Sequence, residues 1–426
     1  MSTSTNVETG NSTEPTSFDT LEINEDTLIL NWTPVFHELI WENYRIDYCG
    51  KDIPPCLITH NRSHLNSSNL LVFHAWDVDV NLIDLPDKET INKFGNKIPW
   101  VYYSAEVPGH KWEFEDDKME MFEFSLTYRL DSDFSSSYFA ENLIEIVKAP
   151  LRHSFNDRKK VPVAWIVSNC RAKNGRHYYV KELSKYIDID IYGNCLNNTL
   201  FPEPQITLPE LISQYKFYIA VENSNCDYYV TEKLLNAFLA GVVPIVDGPS
   251  DYSPFEPTNH SLIRLDQFSS PLELATYLIS LSSDKDAYLS YLSYKNGEPL
   301  SPKFLKYWKG YNNTNGVFGY DFQGARCKMC KLANQLKYSK NNDLENTIFG
   351  NESIPKKKLH ADLSCIYGKH DEFWSPFWNN DIQFIYLTYF LLLIFAGGFC
   401  FWIFKVLMGR NRKGWRKVNN NVEDPN

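Results

Sequence analysis

Positive charge is what this 426-residue chain has least of relative to its counterpart. Lys and Arg number 42 against 53 Asp and Glu, a formal net charge of −11. No basic patch interleaved with aromatics occurs in the body of the chain, which argues against a nucleic-acid partner. Internal repeats are absent, so a stacked-repeat architecture is excluded. The amino terminus lacks an apolar run. "MSTSTNVETGNSTEPTSF" (1–18) holds no signal-peptide core, so entry into a secretory compartment is expected to need an upstream signal or an unusual insertion route. Long uncharged runs are also missing, with one exception. Ile382–Phe404 has 23 residues without a charge and reads as a single transmembrane helix. Lys405, Arg410, Arg412, Lys413, Arg416 and Lys417 follow it, whereas Asp381 precedes it. The positive-inside rule then places tail 405–426 in the cytosol and residues 1–381 in a lumen.

Two features that are present agree with a lumen. Sequons for N-glycosylation stand at Asn11, Asn31, Asn61, Asn66, Asn197, Asn259, Asn312 and Asn351. Of nine cysteines, Cys400 lies in the apolar run, which leaves an even number for disulfides in an oxidising compartment. Aromatic content is high at 15%; rings stack on sugars, but most fill cores.

The length suggests two domains with additions. Residues 1–27 are rich in Ser, Thr, Asn and Glu and read as disordered. Strands are expected in 27–32, 69–79, 98–110 and 124–134, which gives a first domain over 28–155. A second block over 160–335 alternates strand and helix: "VPVAWIVSNC", "GRHYYVKELSKYI", "DIDIYGNC", "TLPELISQY", "KFYIAVEN", "VTEKLLNAFLAG" and "VVPIVDG". That alternation with short loops predicts a doubly wound parallel sheet, with ligands beyond the carboxyl ends of its strands. Residues 336–381 read as a stem.

The stretch "FYIAVENSNCDYYVTEKLLNAFLAGVVPIVDGPS" (217–250) concentrates the chemistry. Glu222-Asn223 close a strand, and Thr231-Glu232-Lys233 open a helix. A helix amino terminus offers free N–H groups and a positive dipole, and so attracts phosphate. A lysine in that first turn opposes the dipole. Lys233 therefore calls for an anion, and a bound phosphate would supply one; a surface Glu-Lys pair is the plainer alternative.

The same stretch resembles the signature of the α1,3/α1,4-fucosyltransferases, glycosyltransferase family 10. "WVYYSAEVPGH", "FSLTYRLDSDF", "AWIVSNC…R…YYVKELSKYIDIDIYG" and "FSSPLELATYLISL" resemble other blocks of that family, in the same order. The resemblance covers roughly residues 28–332. It implies an α/β GT-B fold: two Rossmann-like domains facing a cleft, with GDP-fucose held by the C-terminal one. It also implies transfer with inversion at the fucose anomeric carbon. The family's Y-[IV]-T-E-K matches Tyr229, Val230, Thr231, Glu232 and Lys233. Lys233 is then expected on the phosphates, Glu232 on the ribose and Tyr229 near the fucosyl and phosphate groups. Arg176 has the spacing of the pyrophosphate-binding arginine, with Arg171 as a nearby competitor. Asn223 and Tyr192 match further donor-site positions.

Glu106, in "YYSAEVP", matches the family's base, with Val107 where the family usually has Ser. Inverting transfer needs one carboxylate to take the acceptor proton. "DSD" (131–133) looks like a metal-binding Asp-x-Asp of another transferase class, but it lies in a block not known for metals. No metal is expected to be required, and a divalent cation is at most stimulatory. "CKMC" could be half a zinc site with His360 and Cys365. In Lewis-type members, however, a similar late C-x-x-C bridges to two early cysteines. That implies Cys49–Cys327 and Cys56–Cys330. The plant core-type and protein-directed branches imply Cys170–Cys195. Cys226 and Cys365 are left unassigned.

The resulting expectation is a single-pass Golgi or ER fucosyltransferase with a lumenal catalytic body. It would move L-fucose from GDP-fucose in α1,3 linkage to GlcNAc of glycoprotein glycans. The alternatives are O-fucosylation of Ser/Thr in a folded domain, or a silent nucleotide-sugar-binding protein.

Overall fold

The structure, a computed structural model, describes residues 27–39, 42–78, 85–86, 98–107, 119, 121–139, 142–309, 322–338 and 365–373. Two sheets organise them. The first contains β1 (Thr27–Asn31), β2 (Tyr44–Ile46), β3 (Cys56–Thr59), β4 (Leu70–His74), β5 (Trp100–Ser104), β6 (Phe124–Thr127) and β7 (Phe134–Ser135). Their order is β2-β3-β1-β4-β5-β6-β7, and only the β2–β3 pair is antiparallel. Strands such as "TLILN" and "LLVFH" are buried along their whole length, as strands of a parallel sheet covered on both faces must be.

After helix α1 (Leu143–Lys148), the second sheet begins with β8 (Val163–Ile166), α2 (Arg176–Leu183), β9 (Ile189–Tyr192), α3 (Leu208–Ser213) and β10 (Phe217–Val221). It continues through α4 (Glu232–Ala240), β11 (Val243–Asp247), β12 (Ile263–Arg264) and α5 (Pro271–Ser283). Three more helices follow: α6 (Lys285–Ser290), α7 (Pro302–Trp308) and α8 (Phe322–Tyr338). The strand order β12-β11-β10-β8-β9 is fully parallel. The strand order reverses between β8 and β10, and crevices for ligands form at such points. The two sheets with their helices belong to the α/β class.

Local sequence chemistry sets the helix boundaries. Thr207 and Glu210 cap α3 reciprocally. Ser270 accepts from Glu273 N to start α5. Gly241 ends α4 at φ 68, a left-handed position that glycine occupies without strain.

Two segments depart from the expected boundaries. Helix α8 follows the second sheet in sequence but packs on the first. Ala325, Met329, Leu332 and Ala333 join Ile29, Ile58 and Val72 in one core, and Thr27 Oγ1 donates to Asn334 Oδ1 at 2.7 Å. Residues 365–373, inside the span read as a stem, lie on the second domain. The reason is covalent in both cases. Cys49–Cys327 and Cys56–Cys330 pin α8, as expected, and Cys226–Cys365 pins the later segment.

The expected membrane helix needs correction. Among the described residues no helix is long and apolar enough to cross a membrane. The 17-residue α8 carries Arg326, Lys328, Lys331 and Lys337, whereas a span needs about 20 apolar residues. Ile382–Phe404 itself lies outside the described residues. One sequon is also ruled out in the folded chain: Asn31 is buried in β1, with its Nδ2 3.4 Å from His60 Nε2.

Candidate functional site

The carboxyl edge of the second sheet gathers most of the expected residues. Glu222 follows β10 directly and is buried. Its carboxylate accepts from Thr231 N at 2.8 Å, from Thr231 Oγ1 at 2.9 Å and from Lys233 Nζ at 2.9 Å. Lys233 Nζ also donates to Thr231 Oγ1 at 2.7 Å and to Glu232 Oε1 at 3.2 Å. Thr231, the N-cap of α4, gives its hydroxyl to Glu222 and makes no capping bond. The first-turn N–H groups of α4 are thus not closed off by their own cap.

Electrostatics follow from this geometry. Burial pushes the Glu222 carboxyl above its usual range, while Lys233 pulls it back. Burial disfavours the Lys233 charge, but Glu222 and Glu232 outweigh it and hold the amine above the usual lysine value. Glu232 is held below the usual carboxylate range: burial opposes that shift, and Lys233 overrides it. Glu222 is therefore the anion that sequence reasoning did not assign to Lys233. Its signal was present, since an acid at the end of a fully buried strand must find a partner.

Arg176 enters the same edge from the first turn of α2. It is buried, and its Nη1 donates to Val221 O at 2.8 Å. Asn174 beside it donates to Glu222 O at 3.0 Å and to Asn225 Oδ1 at 2.8 Å. Arg176 Nε, Asn223 Oδ1 and Ser224 Oγ are buried here without a hydrogen-bond partner. Buried polar groups are paired in the great majority of cases, so three such orphans in one stretch stand out. Tyr192 is not brought to this group. Its hydroxyl meets Tyr215 Oη at 2.6 Å, in a separate network with Lys159 and Asp190.

Glu106 comes from the other domain, two residues after β5. Tyr229 Oη donates to Glu106 Oε2 at 2.9 Å, across 123 positions of sequence. Tyr138 Oη donates to Ala105 O at 2.8 Å and reaches Glu106 Oε1 at 3.4 Å. Burial first, then the Glu106 charge, pushes both tyrosine hydroxyls well above their usual range, so both remain protonated donors. Val107, Tyr128, Tyr229, Cys226 and Cys365 pack around this junction. Tyr229, two residues before Thr231, thus links the Glu106 carboxylate to the loop that leads into α4.

The other candidates are committed elsewhere. Arg129 holds Asp131 through Nε at 2.9 Å, and Asp133 accepts from Ser125 N at 2.8 Å and Ser125 Oγ at 2.7 Å. Cys327 and Cys330 are in disulfides rather than half a zinc site, and Cys170 pairs with Cys195 as expected.

Comparison with known proteins gives a consistent result. Residues 24–139 match the family described as "Fucosyltransferase, N-terminal", and residues 156–347 match "Glycosyltransferase family 10 (fucosyltransferase) C-term". The dog (Canis lupus familiaris) protein named GDP-fucose protein O-fucosyltransferase 3 is 30% identical over 304 residues, 67% of this chain and 61% of its own length. The chain therefore spans about three fifths of that relative. The rat (Rattus norvegicus) protein named 4-galactosyl-N-acetylglucosaminide 3-alpha-L-fucosyltransferase 9 is 33% identical over 290 residues, 67% of this chain and 76% of its own. A crystal structure of an alpha1,3-fucosyltransferase with GDP-fucose aligns at a TM-score of 0.44 and 15% identity, covering 67% of this chain and 81% of that one.

Proposed function

The chain belongs to glycosyltransferase family 10, the fucosyltransferases, and from that membership we propose an inverting transfer of L-fucose from GDP-fucose to a hydroxyl of a glycoprotein acceptor. The acceptor in this reading is the 3-hydroxyl of GlcNAc in a glycan, giving an α1,3 link. Glu106 takes the proton of that hydroxyl as its oxygen attacks the fucose anomeric carbon. The C–O bond to the diphosphate breaks, and GDP leaves with the electron pair. Arg176 and Lys233 face the diphosphate charge, so the leaving group is stabilised by side chains rather than by a required metal; a divalent cation is at most stimulatory. Glu232 accepts from the ribose hydroxyls. Tyr192, remote from the other donor residues, plays at most an indirect part.

The observation that carries the reading is the Tyr229–Glu106 bond. It ties Glu106 on one domain to the loop before α4 on the other, which supports a base held at the junction of the two domains. The four disulfides support work in an oxidising lumen of the secretory pathway.

A second reading, fucosylation of Ser or Thr in a folded domain, draws on the relatives named protein O-fucosyltransferase and on the Cys170–Cys195 bridge. One experiment decides both. The purified chain is incubated with GDP-fucose and a panel of N-glycan, LacNAc and disulfide-bonded protein-domain acceptors, and products are mapped by mass spectrometry. Fucose on GlcNAc supports the first reading and fucose on a side-chain hydroxyl the second. No transfer and no GDP release anywhere would remove the enzymatic reading.

A further inference from the structure

Residues 365–373 fall outside both family-matched segments, 24–139 and 156–347, yet they form a strap along the carboxyl edge of the second sheet. Three main-chain donors of the strap go to two loops there. In the loop before α4, Ile366 N donates to Asn225 O at 2.8 Å, and Cys365 is bonded to Cys226. In the loop before α2, Gly368 N donates to Lys173 O at 2.7 Å and His370 N to Asn174 O at 2.9 Å. Lys369 Nζ and His370 Nε2 meet the two oxygens of buried Asp247, the last residue of β11, at 2.6 and 2.7 Å. The rings of His370 and Phe373 pack against Tyr179 of α2, with centroids 5.0 and 5.1 Å away. Gly175, the N-cap of α2, has φ +73, and a Cβ there would come within 2.7 Å of Asp371 Oδ1 and 3.1 Å of the His370 carbonyl carbon. Glycine thus lets the strap lie directly on the residue before Arg176.

The two loops that the strap holds are also joined to each other. Asn174, fully buried, accepts from Arg176 N at 3.2 Å and donates to Glu222 O at 3.0 Å and to Asn225 Oδ1 at 2.8 Å. Asn225 donates in turn to Gly248 O at 2.9 Å. Loop carbonyls at the end of a sheet have no ladder partner, and the strap supplies one to Lys173, Asn174 and Asn225. We infer that residues 365–373 position the donor site: they hold the two loops in one arrangement and thereby fix Arg176, Glu222 and the start of α4. The inference rests on the donor reading of the proposed function. Ile366 and His370 are positioning residues that act through Asn225 and Asn174. With the strap loosened, the two loops populate other arrangements, and the apparent donor affinity falls by the fraction that stays competent. Donor at saturation pulls the loops back, so the rate of the bound complex is preserved.

The test uses the full chain with GDP as the probe. In the wild type, saturating GDP should slow amide exchange at Ile366, Gly368 and His370 about tenfold relative to the amides of β4 in the first sheet, because a strap that improves GDP binding is itself stabilised by GDP in equal measure. Asp247→Asn combined with Cys365→Ala loosens the strap and leaves Arg176, Glu232 and Lys233 in the chain. This variant should bind GDP about tenfold more weakly by calorimetry and show a GDP-fucose KM raised to match, with kcat at saturating donor within about twofold of wild type. A strap that served stability alone would lower the unfolding temperature and leave both GDP readouts unmoved. GDP that binds the wild type without slowing exchange at the three amides overturns the positioning role and leaves the donor reading standing, even where the double variant fails to fold. Unchanged GDP affinity in a folded variant with fast exchange at those amides overturns it as well, as does a fall in kcat with affinity intact. A wild-type chain that binds no GDP overturns the positioning role together with the donor reading.

Discussion

At the scale of the residue, Lys233 is the most informative side chain because two roles converge on it. It offsets the buried Glu222 charge, and in the proposed function it also faces the diphosphate of the donor. Lys233→Ala should therefore do two things. It should weaken GDP binding by roughly 10- to 150-fold, the loss of a charge-assisted contact of about 1.5–3 kcal/mol. It should also lower stability by about 1–3 kcal/mol, because Glu222 loses a partner. Adding Glu222→Gln to that variant should restore stability without restoring GDP affinity. Calorimetry and thermal unfolding on the same samples separate the two effects, and recovery of GDP binding in the double variant would reject the phosphate role. Glu106→Gln should show the opposite profile. It keeps the side-chain shape but cannot take the proton, so kcat should fall by about 10²–10⁴. GDP affinity should remain near wild type. Turnover close to normal would remove Glu106 from the mechanism. Both residues were legible in the sequence through the motifs around them. Glu222 and Tyr138 were not assigned, since a pairing partner lies in space and an unaligned sequence carries no record of it.

At the scale of the element, strand and helix types were legible because the apolar periodicity is strong. The strand read in "KFYIAVEN" is β10, the helix read in "VTEKLLNAFLAG" is α4, and Gly241 closes it. Short edge strands such as β2 and β12 were missed, having only three and two residues, too few to show a period. The strap was missed for a different reason. Its residues look like polar linker, and what orders them, beside the Cys226–Cys365 bridge, is contact with Asp247 at the end of β11. Those contacts make a pH prediction. Burial works against ionising Asp247, but the bond from His370 and the Lys369 charge outweigh it and hold the carboxyl below the usual aspartate range. A depressed folded-state value means stability that is present above the ordinary aspartate value and lost as pH falls through the folded one. Tyr179 and Tyr252, also facing this carboxylate, are raised and stay neutral throughout. Amides of Ile366, Gly368 and His370 should thus exchange faster below about pH 4 than the β10 amides do. Asp247→Asn should show the fast exchange at neutral pH as well. Unchanged protection in that variant would mean that the Cys226–Cys365 bridge and the main-chain bonds to Lys173, Asn174 and Asn225 hold residues 365–373 without Asp247.

At the scale of the whole molecule, the two domains are tied at several points. Phe139, Leu143 and Val147 leave the first sheet's neighbourhood and enter the core of the second domain. Helix α8 makes the return crossing from the second domain to the first. Two disulfides fasten it there, with sequence separations of 278 and 274. Closing such long loops removes much of the unfolded chain's freedom, and a native bridge of this kind contributes about 2–5 kcal/mol. That contribution is concentrated in one place, because α8 covers the face of the first sheet made by Ile29, Ile58 and Val72. Replacing Cys56 and Cys330 together by Ser should therefore loosen the first domain and spare the second. The proposed donor residues Arg176, Glu232 and Lys233 all stand on the second sheet's edge, whereas Glu106 stands on the first. Thermal unfolding should split into two steps, the earlier one lowered by several degrees, the shift that a few kcal/mol gives a domain of this size. GDP added in excess should raise only the later step. Fucose transfer should fall in parallel with the first step while GDP binding persists to the second. A single transition, raised as a whole by GDP, would show instead that the domains unfold as one unit and that the Tyr229–Glu106 contact couples them more strongly than the bridges do.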